Sequence, residues 1–370
     1  MKAIFSGYYG MDNSGDDAFV EVSAWGSKKF WGSDKQLFFS EKLPKVNTQT
    51  SNYLPNKSYL NFGMAVVDIF SSSVFVSAGG STFHSALKKT DVRTYAQLKK
   101  KLHFSGQTGA IGISLGPYKN KHAEQSTIQY LKSLDFLALR DTRSFDMALS
   151  YNLPYKPIEA FDLAALLPEI YNLDPLKKEI NAIPVIGISV CNYESYTNGD
   201  ISNEQRRNQF IIDLINQLKA KAEIKFRFFI FNGHPYVGDE KLTNEIINKV
   251  NLDGKLNFEL ISYNPKVEYI FGKISGCDVV ISTRLHASIF ACYSNTPFFL
   301  LEYHQKCTDF LQDVGQQEKC RVFDGMKEVS SVSDTIMQIL FENDDASPIN
   351  KSLTINRARL NFTETFKIGV

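Results

Sequence analysis

Short apolar runs alternate with amphipathic stretches along most of the chain, and this alternation limits the fold more than any other feature. Ala3–Phe5, Gln36–Phe39, Ser73–Ala78, Ala110–Leu115 and Phe136–Leu139 read as strands, with helical spacing over Asp17–Lys29 and from Thr142. A second series follows. Its strands are Val185–Val190, Phe226–Phe231, Phe258–Leu260, Cys277–Ile281 and Thr296–Leu301, and its helices Asn203–Ala222, Leu242–Val250, Val267–Ser275 and Val332–Phe341. Apolar strands separated by helices build parallel sheets covered on both faces. Between the series, around Leu167–Pro184, Pro168, Pro175 and Pro184 and the mixed charges of Lys177-Lys178-Glu179 mark a linker. A chain of 370 residues also exceeds one ordinary core. The expectation is an α/β chain of two Rossmann-like domains facing a cleft, over 1–172 and 183–343. The remainder, 344–370, reads as an irregular polar segment packing back on the first domain.

Ligands of parallel sheets sit beyond the carboxyl ends of the strands, and the chain concentrates its chemistry there. After Cys277–Ile281 comes Ser282-Thr283-Arg284-Leu285-His286, a tight turn opening a helix. Ser282 or Thr283 is the expected N-cap, with free N–H groups over the turn. Arg284 brings a permanent charge with a bidentate fork, and His286 a group titrating near neutrality. Pairing with acidic neighbours is the plain alternative, yet both residues in one first turn suit an anionic substrate that needs proton transfer.

Other strand ends are less specific. Gly7-Tyr8-Tyr9-Gly10-Met11-Asp12-Asn13-Ser14-Gly15-Asp16-Asp17 opens the first helix, but it is neither a dinucleotide fingerprint nor a P-loop. Its aspartates either serve the helix dipole or bind neutral hydroxyls, as of a sugar. Gly79-Gly80-Ser81 permits close backbone approach, or merely tight packing, with His84 beyond it. Leu139-Arg140-Asp141-Thr142-Arg143-Ser144 puts Arg140 at a strand end, where it can meet a ligand anion. Arg143 is a secondary contact or a partner of Asp146, and Asp162 can neutralise Arg140 or Arg284, or cap a turn. Beyond Leu301, Glu302 and His304 are acid–base candidates and Lys306 can complete a positive pocket. No metal-ligand motif occurs.

Composition narrows the class. A formal net charge of +1 argues against a nucleic-acid partner. No window reaches the roughly twenty apolar residues of a membrane span. Met1–Gly7 reads as a short strand entering a loop rather than a signal peptide. Cys191, Cys277, Cys292, Cys307 and Cys320 are scattered and odd in number, which fits a reducing compartment without disulfides or zinc. A cytoplasmic location is therefore expected.

The loop with Asn13, Gly15, Asp16 and Asp17, the Gly79-Gly80 turn, the Arg140–Ser144 segment and Ser282–His286 occur in an order that resembles the polysaccharide pyruvyltransferase family. The resemblance implies a GT-B-like fold and transfer of a pyruvyl group from phosphoenolpyruvate to a sugar, giving a cyclic ketal and phosphate, with no cofactor. It implies donor contacts at Arg284, Leu285, His286, Arg140 and Lys306, and the chemistry of ketal formation makes His286 the expected acid–base residue. From the residues themselves, acceptor contacts are expected at Tyr9, Asn13, Asp16 and Asp17, with Gly79, Gly80, His84, Arg143 and Glu302 in secondary roles. Many members carry a third glycine where this chain has Ser81. The acceptor implied is a surface polysaccharide, such as a capsule glycan, or its lipid-linked precursor, with peripheral association at the inner face of the membrane. The alternatives are a GT-B glycosyltransferase using a nucleotide sugar, for which Glu302 could hold the ribose, and a non-catalytic glycan-binding subunit.

Overall fold

The computed structural model describes residues 1–80, 82–171, 183–252 and 258–367. Ser81 and most of the expected linker, with Pro175 and Lys177-Lys178-Glu179, lie outside the described residues. The chain divides into two compact units. The first comprises Met1–Gly10, Asp16–Ile170 and Ser352–Val370, and the second Met11–Gly15 and Tyr171–Lys351.

The first unit is built on strands β1 (Lys2–Ser6), β2 (Lys35–Phe39), β3 (Thr50–Tyr53), β4 (Val74–Gly80), β5 (Gln107–Ile113), β6 (Phe136–Leu139) and β7 (Ile158–Glu159). They form one parallel sheet in the order β3-β2-β1-β4-β5-β6-β7. Central strands read as unbroken apolar runs because both faces are covered: Ala3, Ile4 and Phe5 of β1 are wholly buried. Helices α1 (Ser14–Trp31), α2 (Tyr59–Ser71) and α3 (Val92–Lys101) supply much of that cover. Gly79, the last residue but one of β4, has φ +80, and a Cβ there would strike the ring of Phe19 on α1. Close helix–strand packing is thus a sufficient reason for this glycine.

The second unit has β8 (Val185–Ser189), β9 (Lys225–Phe229), β10 (Phe258–Ile261), β11 (Val279–Ser282), β12 (Phe298–Glu302) and β13 (Arg321–Phe323). They too form a parallel sheet, in the order β10-β9-β8-β11-β12-β13. The strand order reverses between β8 and β11, which is the position where parallel sheets of this kind take their ligands, outside the carboxyl edge.

The chain's end departs from the reading as an irregular polar segment. Lys351–Thr363 is a helix, and from Ser352 onward it belongs to the first unit. Phe362 lies against Gly26 and Trp31 of α1, and its carbonyl accepts the Trp31 Nε1–H at 2.9 Å. Asn361, fully buried, accepts the Gly112 N–H and donates to the Phe161 carbonyl, each at 2.8 Å. An interior bond made by an asparagine leaves no apolar periodicity to read, which is why the helix was hidden.

Candidate functional site

At the carboxyl edge of the second sheet, β11 leads through Thr283 and Arg284 into the helix Leu285–Tyr293. The expected cap is not formed. Ser282 Oγ turns back to the Arg284 carbonyl (3.0 Å) and Ser288 Oγ (2.8 Å), and Thr283 Oγ1 accepts the Cys191 N–H (2.7 Å). Arg284 itself occupies the N-cap position in extended conformation, and no side chain caps the helix. The positive end of the helix dipole is therefore left to whatever lies over the turn.

Asp239, at 1% exposure, holds the Arg284 side chain. Arg284 Nε donates to both carboxylate oxygens at 3.0 Å, and Nη2 adds a further bond to Oδ1. Asp239 is fixed in turn, since its Oδ2 accepts the Asn232 N–H at 2.9 Å and its own N–H donates to the Asn232 carbonyl at 2.9 Å. Burial pushes the Asp239 carboxyl up, against the pull of Arg284. Burial also works against the charge of Arg284, yet the hydrogen-bonded carboxylate of Asp239 beside it holds the guanidinium above its ordinary value. A guanidinium locked in one rotamer loses little freedom on meeting an anion.

The loop Met11–Gly15 completes this edge. Ser14 N–H donates to the Phe231 carbonyl (2.9 Å), Gly233 N–H to the Asp12 carbonyl (2.8 Å), and Asn13 bridges Asn232 in antiparallel sense. These bonds place Asn13 in the second unit, although the sequence grouped it with the acceptor residues of the first half. Gly15 lies against His286, and a Cβ there would run into the imidazole. Ser14 Oγ and Ser189 Oγ are buried with no hydrogen-bond partner among the described residues, as is Asn192 Oδ1 at the same edge. Buried polar groups of this kind are costly unless something satisfies them.

Other residues of the unit are more committed. Glu302 is spent on Arg321 of the adjacent strand, with Nε–Oε1 at 2.9 Å and Nη2–Oε2 at 2.6 Å. His304 caps the helix Gln305–Val314, its Nδ1 accepting the Lys306 N–H at 3.1 Å, and Lys306 is half-buried in the first turn. Cys191 lies 3.8 Å from Tyr303 Oη, and burial pushes its thiol up, so it is a packing group rather than a nucleophile.

The remaining expected residues lie in the first unit. Arg140 follows β6 at 6% exposure, with Nε on Ser114 Oγ, Nη1 3.2 Å from Asp162 and Asp141 at 4.0 Å. Asp162 performs two of its expected roles, since Oδ1 also caps the Ala164 N–H at 2.9 Å. Arg143 Nη1 contacts the Met147 sulfur at 3.2 Å. Tyr9 is buried, its hydroxyl donates to the Ala78 carbonyl at 3.0 Å, and burial first and Asp16 second push the phenol far up. Asp17 is buried and Asp16 half-buried in the first turn of α1. His84 is exposed, with Nδ1 2.9 Å from the Pro117 carbonyl. Sequence reasoning missed Asp239, Ser189 and Asn192. The alternation of β8 and its loop could have raised the last two, whereas nothing in the sequence pairs Asp239 with Arg284.

A family profile described as polysaccharide pyruvyl transferase matches residues 12–305. None of the curated proteins matches in sequence. Among solved structures, UDP-GlcNAc 2-epimerase from Methanocaldococcus jannaschii is similar at TM-score 0.62 and 12% identity, over 97% of this chain and 98% of that one. A putative UDP-N-acetylglucosamine 2-epimerase from Listeria monocytogenes gives TM-score 0.63 and 10% identity, over 98% and 97%. The lipopolysaccharide outer core galactosyltransferase WaaB gives 0.53 and 12%, over 98% of each chain. These are GT-B proteins, and at such identities they show the fold alone: two Rossmann-like domains in the GT-B class.

Proposed function

The chain belongs to the polysaccharide pyruvyl transferase family, and on that premise we propose that it moves the pyruvyl group of phosphoenolpyruvate onto two hydroxyls of one sugar in a surface polysaccharide or its lipid-linked precursor. Both hydroxyl oxygens become bonded to the central carbon of the donor, whose bond to the phosphate oxygen breaks. One hydroxyl proton goes to the methylene carbon, which becomes the ketal methyl, and the other leaves with phosphate.

The observation that carries this reading is the uncapped helix turn with Arg284 fixed by Asp239 and His286 two residues further. A phosphate and a carboxylate need charge-assisted donors held in place before they arrive. Arg284 and the helix terminus supply these, with Leu285 lining the turn and Lys306 beyond the next strand adding charge. His286 is assigned the proton transfer, its imidazole positioned by the Gly15 backbone. Asp16 and Asp17 are assigned to acceptor hydroxyls, and Arg140 to a supporting role toward the donor. The glycosyltransferase alternative loses its named acid, because Glu302 is committed to Arg321.

Calorimetric titration with phosphoenolpyruvate, with UDP and GDP as controls, tests the donor. Saturable phosphoenolpyruvate binding that weakens in Arg284→Ala supports the transfer. Binding of a nucleotide in its place overturns it.

A further inference from the structure

The first unit carries a face that the proposed transfer leaves unused. α2 turns Ala65 and Ile69 into a cluster with Ile4, Leu37 and Phe75. Its outer side is apolar too. Tyr59 is 99% exposed, Leu60 73% and Val67 67%, with Met64 between them. Leu60, Met64 and Val67 recur at helical spacing and form one stripe. The helix has a single charged residue, Asp68, which is engaged by Lys2 and by Tyr53. α3 widens the stripe with exposed Leu98, and Leu102 and Phe104 follow its end. The rings of Phe70 and Phe104, 4.9 Å apart, and of Phe62 and Tyr95, 5.2 Å apart, join the two helices into one surface.

Basic residues outnumber acidic ones around this surface. Residues 54–104 contain seven Lys or Arg against two Asp and no Glu, in a chain whose net charge is only +1. Lys57, Arg93 and Lys100 have partners in Glu41, Asp91 and Asp135. Lys88 and Lys89 before α3 and Lys101 in its last turn are exposed and make no ion pair among the described residues. Both helices start near the carboxyl edge of their sheet and end near its amino edge, so unpaired lysines stand at both ends of the apolar stripe.

We propose that the α2–α3 face docks on an anionic lipid surface, the stripe entering the headgroup layer and the lysines meeting lipid phosphates. An uncharged helix face bounded by unpaired lysines complements such a surface. A second copy of the chain would bring the same basic rim against itself. Docking lies on the bilayer rather than across it, since no described helix is long and apolar enough to span one. It would hold the carboxyl edge of the first sheet, with Asp16, close to the plane where a lipid-linked sugar is presented. The docking itself does not depend on which group is transferred.

The full chain is sedimented with sucrose-loaded vesicles of phosphatidylcholine alone and of phosphatidylcholine with phosphatidylglycerol. Partitioning is expected to be at least about tenfold stronger on the anionic vesicles and to weaken with salt. Leu60→Glu with Val67→Glu, both at exposed positions, should abolish it, and Lys88→Glu with Lys89→Glu and Lys101→Glu should reduce it about tenfold or more. Unchanged thermal melts of the variants would exclude unfolding. Equal binding of variants and parent, no preference for anionic vesicles, or a solution dimer dissolved by the same substitutions would each overturn the assignment. Phosphoenolpyruvate titration of the variants, expected to be unchanged, separates this failure from failure of the transfer reading.

Discussion

Two strand ends of this molecule look alike in sequence and differ in chemistry. β6 runs into Arg140 and then a helix from Thr142, and β11 runs through Thr283 into Arg284 and a helix from Leu285. At the first corner Asp141 follows the arginine and caps the helix, its Oδ1 accepting the Ser144 N–H at 2.7 Å, while Ser114 and Asp162 close around the guanidinium. At the second, Leu285 follows the arginine, the helix stays uncapped, and one carboxylate holds a guanidinium that is still 21% exposed. The residue at the N-cap position, Asp141 at the first corner and Arg284 itself at the second, thus separates a corner that satisfies itself from one that can receive a ligand. On the proposed function, Arg140 is then expected to support the donor side mainly through stability, and Arg284 to act mainly through binding.

The sharpest test of that contrast lies beside Arg284. His286→Ala should lower turnover about 10²–10⁴-fold while the protein remains folded. Normal turnover would remove His286 from the chemistry and leave the open corner as a binding site only. Next, Arg140→Met should leave Asp141 and Asp162 as uncompensated buried charges, costing about 3–5 kcal/mol in urea unfolding of the first unit. Full stability combined with lost phosphoenolpyruvate affinity would break the contrast by making Arg140 a ligand residue.

Gly15→Ala should push the imidazole of His286 aside, and a displacement of this size lowers turnover by about 10²-fold. Phosphoenolpyruvate affinity should change much less, which separates proton transfer from anion binding. The smallest effect is expected from Asp239→Asn. It keeps an acceptor for the Asn232 N–H but loosens Arg284, so donor affinity should fall about tenfold, with partial recovery in Asp239→Glu. Affinity unchanged in Asp239→Asn would mean that the rotamer of Arg284 needs no partner.

What could be read in the sequence follows from what each element owes to its neighbours in the chain. Buried parallel strands announce themselves because every residue is apolar, and β1, β6, β8 and β11 stand close to their expected places. The place of Arg284 and His286 between a strand end and a helix start was legible because a strand, a turn and a helix start carry local signals. Asp239 was not, since its partner lies 45 residues away and only the sheet brings them together. The pairing of Glu302 with Arg321 across β12 and β13 was hidden in the same way. The cap was misjudged because Ser282 and Thr283 have competing acceptors at the strand end, which no local pattern reveals. The short strands β3 and β7 have few buried residues and leave little periodicity to detect.

Both units are sewn from separated stretches of chain, and this governs when each can be finished. The first lacks the helix that covers Trp31 until residues beyond Ser352 have been made, after the whole second sheet. The second takes Met11–Gly15 from the stretch just after β1. A ribosome therefore releases most of the first sheet with an apolar seam still open, and the seam closes only when the residues beyond Ser352 emerge. Cutting the gene at the apparent boundary near residue 171 would yield two fragments, each missing a piece the other holds. In biosynthetic terms the molecule has two sheets but one completion point.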